Sequence, residues 1–192
     1  MFILPGRRED GKLRWMKKIV IIGPESTGKS HLSEQLAAHY NTLWCPEYAR
    51  EYLVKHGNQY VYDDLVTIAK GQVALEDSYI EKLSDSPPSR PLFFDTNMYV
   101  LKVWCEFVFE NCHRCILNQV VERKYDLYLL CDINLPWVGD VLREHPDLES
   151  RERLYYIYKD IMVNQSTPWV DISGNYEERL RKAIAAVDKL IK

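Results

Sequence analysis

The sequence predicts an α/β domain of three layers, a mostly parallel five-stranded sheet with helices on both faces. Three observations predict it. Short apolar runs alternate with longer stretches of helical periodicity along nearly the whole chain, the pattern of successive strand–helix–strand units. The first of these runs leads into IVIIGPESTGKS, Ile19 to Ser30, where Gly23, Gly28, Lys29 and Ser30 fill the fixed positions of G-x-x-x-x-G-K-[ST], the phosphate-binding P-loop. The length, 192 residues with 46% hydrophobic and 28% charged side chains, suits one domain with a sizeable core.

The flanks of the glycine motif support it. Lys17 to Ile22 is a β-branched apolar run, as in a buried strand. His31 to Tyr40 carries Leu32, Leu36, Ala37 and Tyr40 at helical spacing. A strand, a loop bounded by glycines and a helix N-terminus make an anion site, because loop N–H groups point inward and the helix dipole adds positive potential. Gly23 and Gly28 allow torsions and close approaches that a Cβ would block. Lys29 is expected to reach the β- and γ-phosphates of ATP and the Ser30 hydroxyl to ligate Mg²⁺. Glu25, Ser26, Thr27 and His31 complete the candidate nucleotide contacts.

The remaining elements follow in order. Residues 1–15 lack periodicity and read as a flexible extension, with Met1 and Met16 both candidate starts, which leaves 16–192 as one domain. Thr42 to Cys45 is a short strand, and PEYAR, Pro46 to Arg50, leads into a helix to about Lys55. Ligands of open α/β sheets lie beyond the carboxyl ends of strands, so Glu47 and Arg50 fall where a phosphoryl acceptor would sit. The same pair also fits a solvated carboxylate with an i+3 arginine. Val61 to Leu83 is a long helix with Leu65, Ile68, Ala69, Val73, Leu75 and Ile80 apolar. Pro87 and Pro88 mark a loop. Pro91 to Phe94 is a strand that ends at Asp95, the place of a Mg²⁺-organising carboxylate downstream of a P-loop.

Met98 to Phe109 and Ile116 to Arg123 read as helices, separated by Cys112-His113-Arg114-Cys115. No second C-x-x-C accompanies this pair, so structural thiols are favoured over zinc. Tyr125 to Cys131 is the fourth strand. The irregular segment 137–147 holds Asp140 and Arg143, the position of a mobile lid or, alternatively, of a charged surface loop. A helix through Leu154, Ile157, Tyr158, Ile161 and Met162 follows, then a strand from Trp169 to Ile172 and a last helix capped by Asn175.

Composition excludes several classes. A net charge of -3 supplies no basic field for a nucleic-acid backbone. The apolar runs are strand-sized, which argues against a membrane span. Five cysteines without an export signal point to a reducing cytoplasm. No sequence feature specifies an oligomeric state.

The run KKIVIIGPESTGKSHLSEQLAAHYNTLWCPEYAREYL, with FFDTN, WVGDVLR and PWVDISG, resembles the ribosylnicotinamide kinase domain of the NadR-like family from about Met16 onward. Its specific parts are Glu25-Ser26-Thr27, the block from Glu47-Tyr48 to Arg50-Glu51, and Asp95-Thr96. The resemblance implies a nucleoside-monophosphate-kinase-like P-loop NTPase fold with a lid, and transfer of phosphate from ATP to nicotinamide riboside. It implies that Glu47 orients or deprotonates the ribose 5'-hydroxyl and that Arg143 is the lid arginine. Lys29, Glu47 and Arg143 are the expected catalytic residues. Glu47, Tyr48, Arg50, Asp95, Asn97 and Asp140 are the expected substrate contacts, and Ser30 and Asp95 the metal ligands. Tyr48, Tyr99 and Trp104 are candidate faces for the cationic ring, although with 13 tyrosines in the chain each also fits, and is rather expected in, the core.

Two departures qualify the resemblance. About fifteen residues precede the kinase-like region, and no H-x-G-H-type signature occurs, so we expect neither DNA binding nor adenylyl transfer. Asn97 stands where the family often has a second acid. Two other readings remain on the sequence: a kinase for another nucleoside or small metabolite, and a regulatory NTP-binding switch without an acceptor site.

Overall fold

The computed structural model describes residues 16–84, 90–139 and 147–192. Five strands, β1 (Lys18–Ile22), β2 (Trp44–Cys45), β3 (Leu92–Asp95), β4 (Leu127–Cys131) and β5 (Trp169–Ile172), form one parallel sheet in the order β2-β3-β1-β4-β5. The helices are α1 (Lys29–His39), α2 (Tyr48–His56), α3 (Asp64–Ser84), α4 (Met98–Phe109), α5 (Arg114–Glu122), α6 (Leu148–Asn164) and α7 (Tyr176–Ile191). The three-layer parallel architecture expected from the sequence is the one observed.

Alternation along the strands divides the core. Val20, Ile22, Phe94, Tyr128 and Leu130 face one side and pack with Tyr155, Tyr158 and Met162 of α6. Ile19, Ile21, Phe93, Leu127 and Leu129 face the other, against Leu32 and Leu36 of α1 and Ala183 and Val187 of α7. Burial on both faces is what a parallel sheet covered by helices requires. A third cluster joins α2, α3, α4 and α5 through Ala49, Leu65, Ile68, Leu101 and Ile116.

Several boundaries differ from those expected. The second strand pairs only over Trp44 and Cys45, because as an edge strand it has β3 alone as neighbour. Helix α1 starts at Lys29, so Lys29 and Ser30 belong to its first turn, behind Gly28 as N-cap. Helix α6 starts at Leu148, where the Asp147 side chain accepts from Ser150 N. Asn175 caps α7 as expected and forms a reciprocal capping box with Glu178.

The strand order places β1 between β3 and β4, with the chain leaving β1 toward one edge and returning on the other side. The crevice beyond the strand ends is widest at such a reversal. The loop after β1, the end of β3 and the start of α2 all open into it.

Candidate active site

The loop that follows β1 turns sharply at Gly23, whose φ is 138°. A Cβ there would lie 2.7 Å from the carbonyl oxygen of Cys131. The start of the loop therefore lies against the end of β4 with no room for a side chain. Thr27 is fully buried and its hydroxyl donates to the Pro24 carbonyl at 2.8 Å. Lys29 Nζ donates to the same carbonyl oxygen, also at 2.8 Å. Ser26, at φ 57°, accepts from the Val138 N–H at 3.0 Å. The loop is thus braced by its own hydroxyls and by the segment after β4.

A cavity of about 690 Å³ runs outward from this loop. Residues 23–31 line one end. Glu47 and Arg50 of the α2 entrance, with Trp44, Trp104 and Phe107, line the other, and Asp95 at the end of β3 lies beside Ser30. Tyr158 of α6 completes a wall, and Tyr176 stands beside His31 with ring centroids 5.1 Å apart, edge to face.

Burial shifts two carboxyl groups of this cavity, Glu47 and Asp95. The carboxyl group of Glu47 faces the cavity, where enclosure by protein pushes its pKa up to about 7; Lys29 and Arg50 pull it down, while Asp95 and Glu25 push it further up. Asp95 is 2% exposed, and burial raises its pKa against the pull of Lys29 and a hydrogen bond from the Ser30 hydroxyl. Its Oδ1 is buried without a hydrogen-bond partner among the described residues. An orphaned carboxylate oxygen beside a serine hydroxyl, at the mouth of a phosphate cradle, is the oxygen donor set of a hard divalent cation. Ser30 and Asp95 therefore fit Mg²⁺.

Most sequence-predicted residues meet here: Gly23, Glu25, Ser26, Thr27, Gly28, Lys29, Ser30, His31, Glu47, Arg50 and Asp95 all line the cavity. Two do not. The Tyr48 ring packs against α3 at Gly71, where a Cβ would lie 2.0 Å from Tyr48 Cε1. Asn97 is buried as the N-cap of α4: Oδ1 accepts from Tyr99 N at 3.0 Å and Nδ2 donates to the Tyr128 hydroxyl at 3.1 Å. Of the three candidate aromatic faces, Trp104 lines the cavity, while Tyr99 packs edge-on to Tyr128. Asp140 and Arg143 lie outside the described residues. In the C-x-x-C segment, Cys115 is exposed and His113 stacks on Tyr62 at 3.7 Å. Among the described residues no group of three or more His, Cys, Asp or Glu side chains is placed to hold a metal ion.

Sequence reasoning missed Tyr158, Tyr176 and, above all, Arg179. Arg179 is 2% exposed and donates to the carbonyl oxygens of Gly174 (2.8 Å), Thr27 (2.9 Å) and Asp132 (2.7 Å), and to Asn134 Oδ1. One guanidinium so ties the phosphate loop to the ends of β4 and β5. An arginine in the first turn of the helix after the last strand, outside any phosphate-binding motif, offers no sequence signal for this.

Fold and site together define a P-loop domain with the architecture of small-molecule kinases. The chain belongs to the AAA_28 family, described as an AAA domain, whose model matches residues 18–179. It is similar to the trifunctional NAD biosynthesis/regulator protein NadR of Salmonella typhimurium (strain LT2) and of Escherichia coli (strain K12), at 25% identity over 182 residues in each case. The match covers 92% of this chain and 43% of those proteins, so the chain spans less than half their length. Among solved structures, NadR in complex with NR superposes with a TM-score of 0.75 at 23% identity, over 92% of this chain and 50% of that one. NadR in complex with NAD and AMP-PNP gives 0.70 at 24% identity over the same shares. Thymidylate kinase from Ehrlichia chaffeensis gives 0.66 at 15% identity, over 93% of this chain and all of that one. These likenesses establish the kinase-type fold. Among the described residues no helix is long and apolar enough to cross a membrane.

Proposed function

We propose that this domain transfers the γ-phosphoryl group of ATP to the ribose 5'-hydroxyl of nicotinamide riboside, giving nicotinamide mononucleotide and ADP. The observation that carries this reading is the single cavity with a phosphate loop at one end and Glu47, Arg50 and an aromatic wall at the other. An NTP switch has no use for the second half. The volume of about 690 Å³ is within the range of small-molecule sites. Trp44, Trp104 and Phe107 offer π-faces to a cationic ring, and the carboxylates of Glu25, Glu47 and Asp95 add negative potential. Similarity to the NadR proteins, and to a solved NadR in complex with NR, supports nicotinamide riboside as the ligand.

The chemistry needs positioning and charge stabilisation more than covalent participation. The backbone N–H groups of the loop and Lys29 bind the phosphates, for which Lys29 must leave the Pro24 carbonyl. Glu47 accepts the hydrogen bond of the 5'-hydroxyl and takes its proton as that oxygen bonds to the γ-phosphorus. The bond from the γ-phosphorus to the bridging oxygen breaks and ADP departs. Ser30 and Asp95 would hold Mg²⁺, which offsets phosphate charge when bound. Arg143 is proposed to add a cation at the transferring group and Asp140 to contact the substrate.

ADP release measured with and without nicotinamide riboside, beside a panel of other nucleosides, tests the reading. We expect turnover to depend on nicotinamide riboside. Equal hydrolysis without any acceptor would instead identify an ATPase switch, and faster turnover with another nucleoside would reassign the acceptor.

A further inference from the structure

Resting on the reading of Glu47 as the group that receives the acceptor hydroxyl, we propose that Gln72 is a positioning residue of this site. It holds Glu47 through the backbone N–H of Tyr48, and the buried Glu76, paired with Arg123, holds Gln72 in turn.

The starting point is an omission at the entrance to α2. Glu47 occupies the N-cap position, where a side chain ordinarily accepts from a first-turn N–H. Its carboxylate makes no capping bond and faces the cavity instead. The N–H of Tyr48, the next residue, is taken up by another helix: it donates to Gln72 Oε1 at 2.8 Å. Gln72 therefore takes up the first N–H of α2 from outside and fixes the backbone next to Glu47, whose carboxylate makes no capping bond of its own. Gly71 makes this reach possible, because the Tyr48 ring lies where its Cβ would be.

The Gln72 amide has a fixed orientation. Its Nε2 donates to Glu76 Oε1 at 3.3 Å. Glu76 is fully buried, and its Oε2 accepts from Arg123 Nε at 2.9 Å and from the Tyr125 hydroxyl at 2.8 Å. Arg123 also pairs with Asp77 at 2.6 Å. A carboxylate at the nitrogen end of the amide forces the oxygen end toward Tyr48, since the flipped amide would set oxygen against oxygen. Gln72 itself is 1% exposed. A buried amide costs free energy unless fully paired, and here its two ends serve α2 and the ion pair.

The test uses three variants and the full chain. Gln72→Met keeps the length and removes the acceptor, and Gln72→Asn withdraws it by one methylene. The Q72E/E76Q exchange keeps every bond: a carboxylate accepts from Tyr48 N–H, and the amide at 76 donates to it while accepting from Arg123 and Tyr125. kcat and KM for nicotinamide riboside and for ATP are measured beside the melting temperature. We expect Gln72→Met and Gln72→Asn to lower kcat by roughly 10- to 100-fold with KM for ATP unchanged, and the exchange to restore kcat. A wild-type kcat in the single variants, a parallel rise in KM for ATP, or an exchange that fails to recover kcat overturns the proposal. Failure of both single variants to fold also counts against it, since the residue is then structural. Glu47→Gln assayed alongside separates the two readings. A wild-type rate there removes the acceptor assignment, whereas an impaired Glu47→Gln beside an unimpaired Gln72→Met removes the relay alone.

Discussion

Arg179 Nη1 donates to the carbonyl oxygen of Thr27 at 2.9 Å, joining the last helix to the phosphate loop across 152 residues of sequence. Lys29 and Thr27 both bond to Pro24 O inside the loop, and this guanidinium ties the loop to the ends of β4 and β5. Its planar fork serves acceptors from three chain segments at once, which an ammonium cannot do.

Arg179→Met should therefore destabilise the protein by about 3 kcal/mol, because several buried carbonyl oxygens lose their donor together. It should also weaken nucleotide binding, although Arg179 is not among the residues that line the cavity. Urea unfolding with a parallel titration of a non-hydrolysable ATP analogue measures both. A variant that is less stable yet binds the analogue normally would show that the brace does not shape the loop.

What the sequence made legible was local. The phosphate loop lies within eight consecutive residues, 23–30, and its glycines, lysine and serine are fixed by their spacing. Glu47 and Asp95 follow from the rule that ligands collect beyond strand ends. Residues whose partners are remote escaped: Arg179 as above, and Gln72, whose partner Tyr48 is 24 positions away. Gln72 and Glu76 did leave a trace. The buried face of α3 runs through Leu65, Ile68, Ala69, Gln72, Glu76 and Leu83, so two polar residues sit in helical register with an apolar stripe. Tyr48 and Asn97 show the opposite limit, since adjacency to a site residue does not say which way a side chain turns.

Lys29→Ala should leave the fold intact, because the side chain bonds to Pro24 O at the rim of the cavity rather than in the core. Turnover should fall by at least 10²–10³-fold, the typical loss for a preorganised charge-stabilising group. Circular dichroism and the ADP-release assay together decide it, and near-normal turnover in folded protein would remove Lys29 from the mechanism.

Asp95→Asn probes the metal. The carboxylate holds the Ser30 hydroxyl and leaves Oδ1 buried without a partner. Replacing it with an amide removes the charge that would draw a divalent cation to this corner. The Mg²⁺ concentration for half-maximal rate should rise and kcat should fall. Should the Mg²⁺ titration overlay that of wild type, Asp95 serves only to end β3.

Glu47 links stability, pH and turnover in one side chain. Its pKa stands at about 7 against an ordinary 4.5, chiefly because burial penalises the charged form. A pKa raised by folding stabilises the protein only while the group is protonated. Below about pH 4.5 the group is neutral in both states and costs nothing. Between about 4.5 and 7 the unfolded chain ionises first, and stability is lost as pH rises. Above 7 the loss is complete, at about 3 kcal/mol in nucleotide-free protein. Glu47→Gln is neutral throughout, so it should match wild type at pH 4.5 and exceed it in stability at pH 8 by that amount. The same substitution removes the proton acceptor. kcat with nicotinamide riboside should fall by roughly 10²–10⁴-fold, while binding of an ATP analogue is little changed because the loop is untouched. The acid limb of kcat/KM, expected near pH 7 in wild type, should vanish with it. A stabilised, inactive variant would show that the carboxylate is kept at a cost to folding because the acceptor hydroxyl requires it. A variant that is neither more stable at pH 8 nor slower would show that the carboxylate is not enclosed as described and that the acceptor oxygen is received elsewhere.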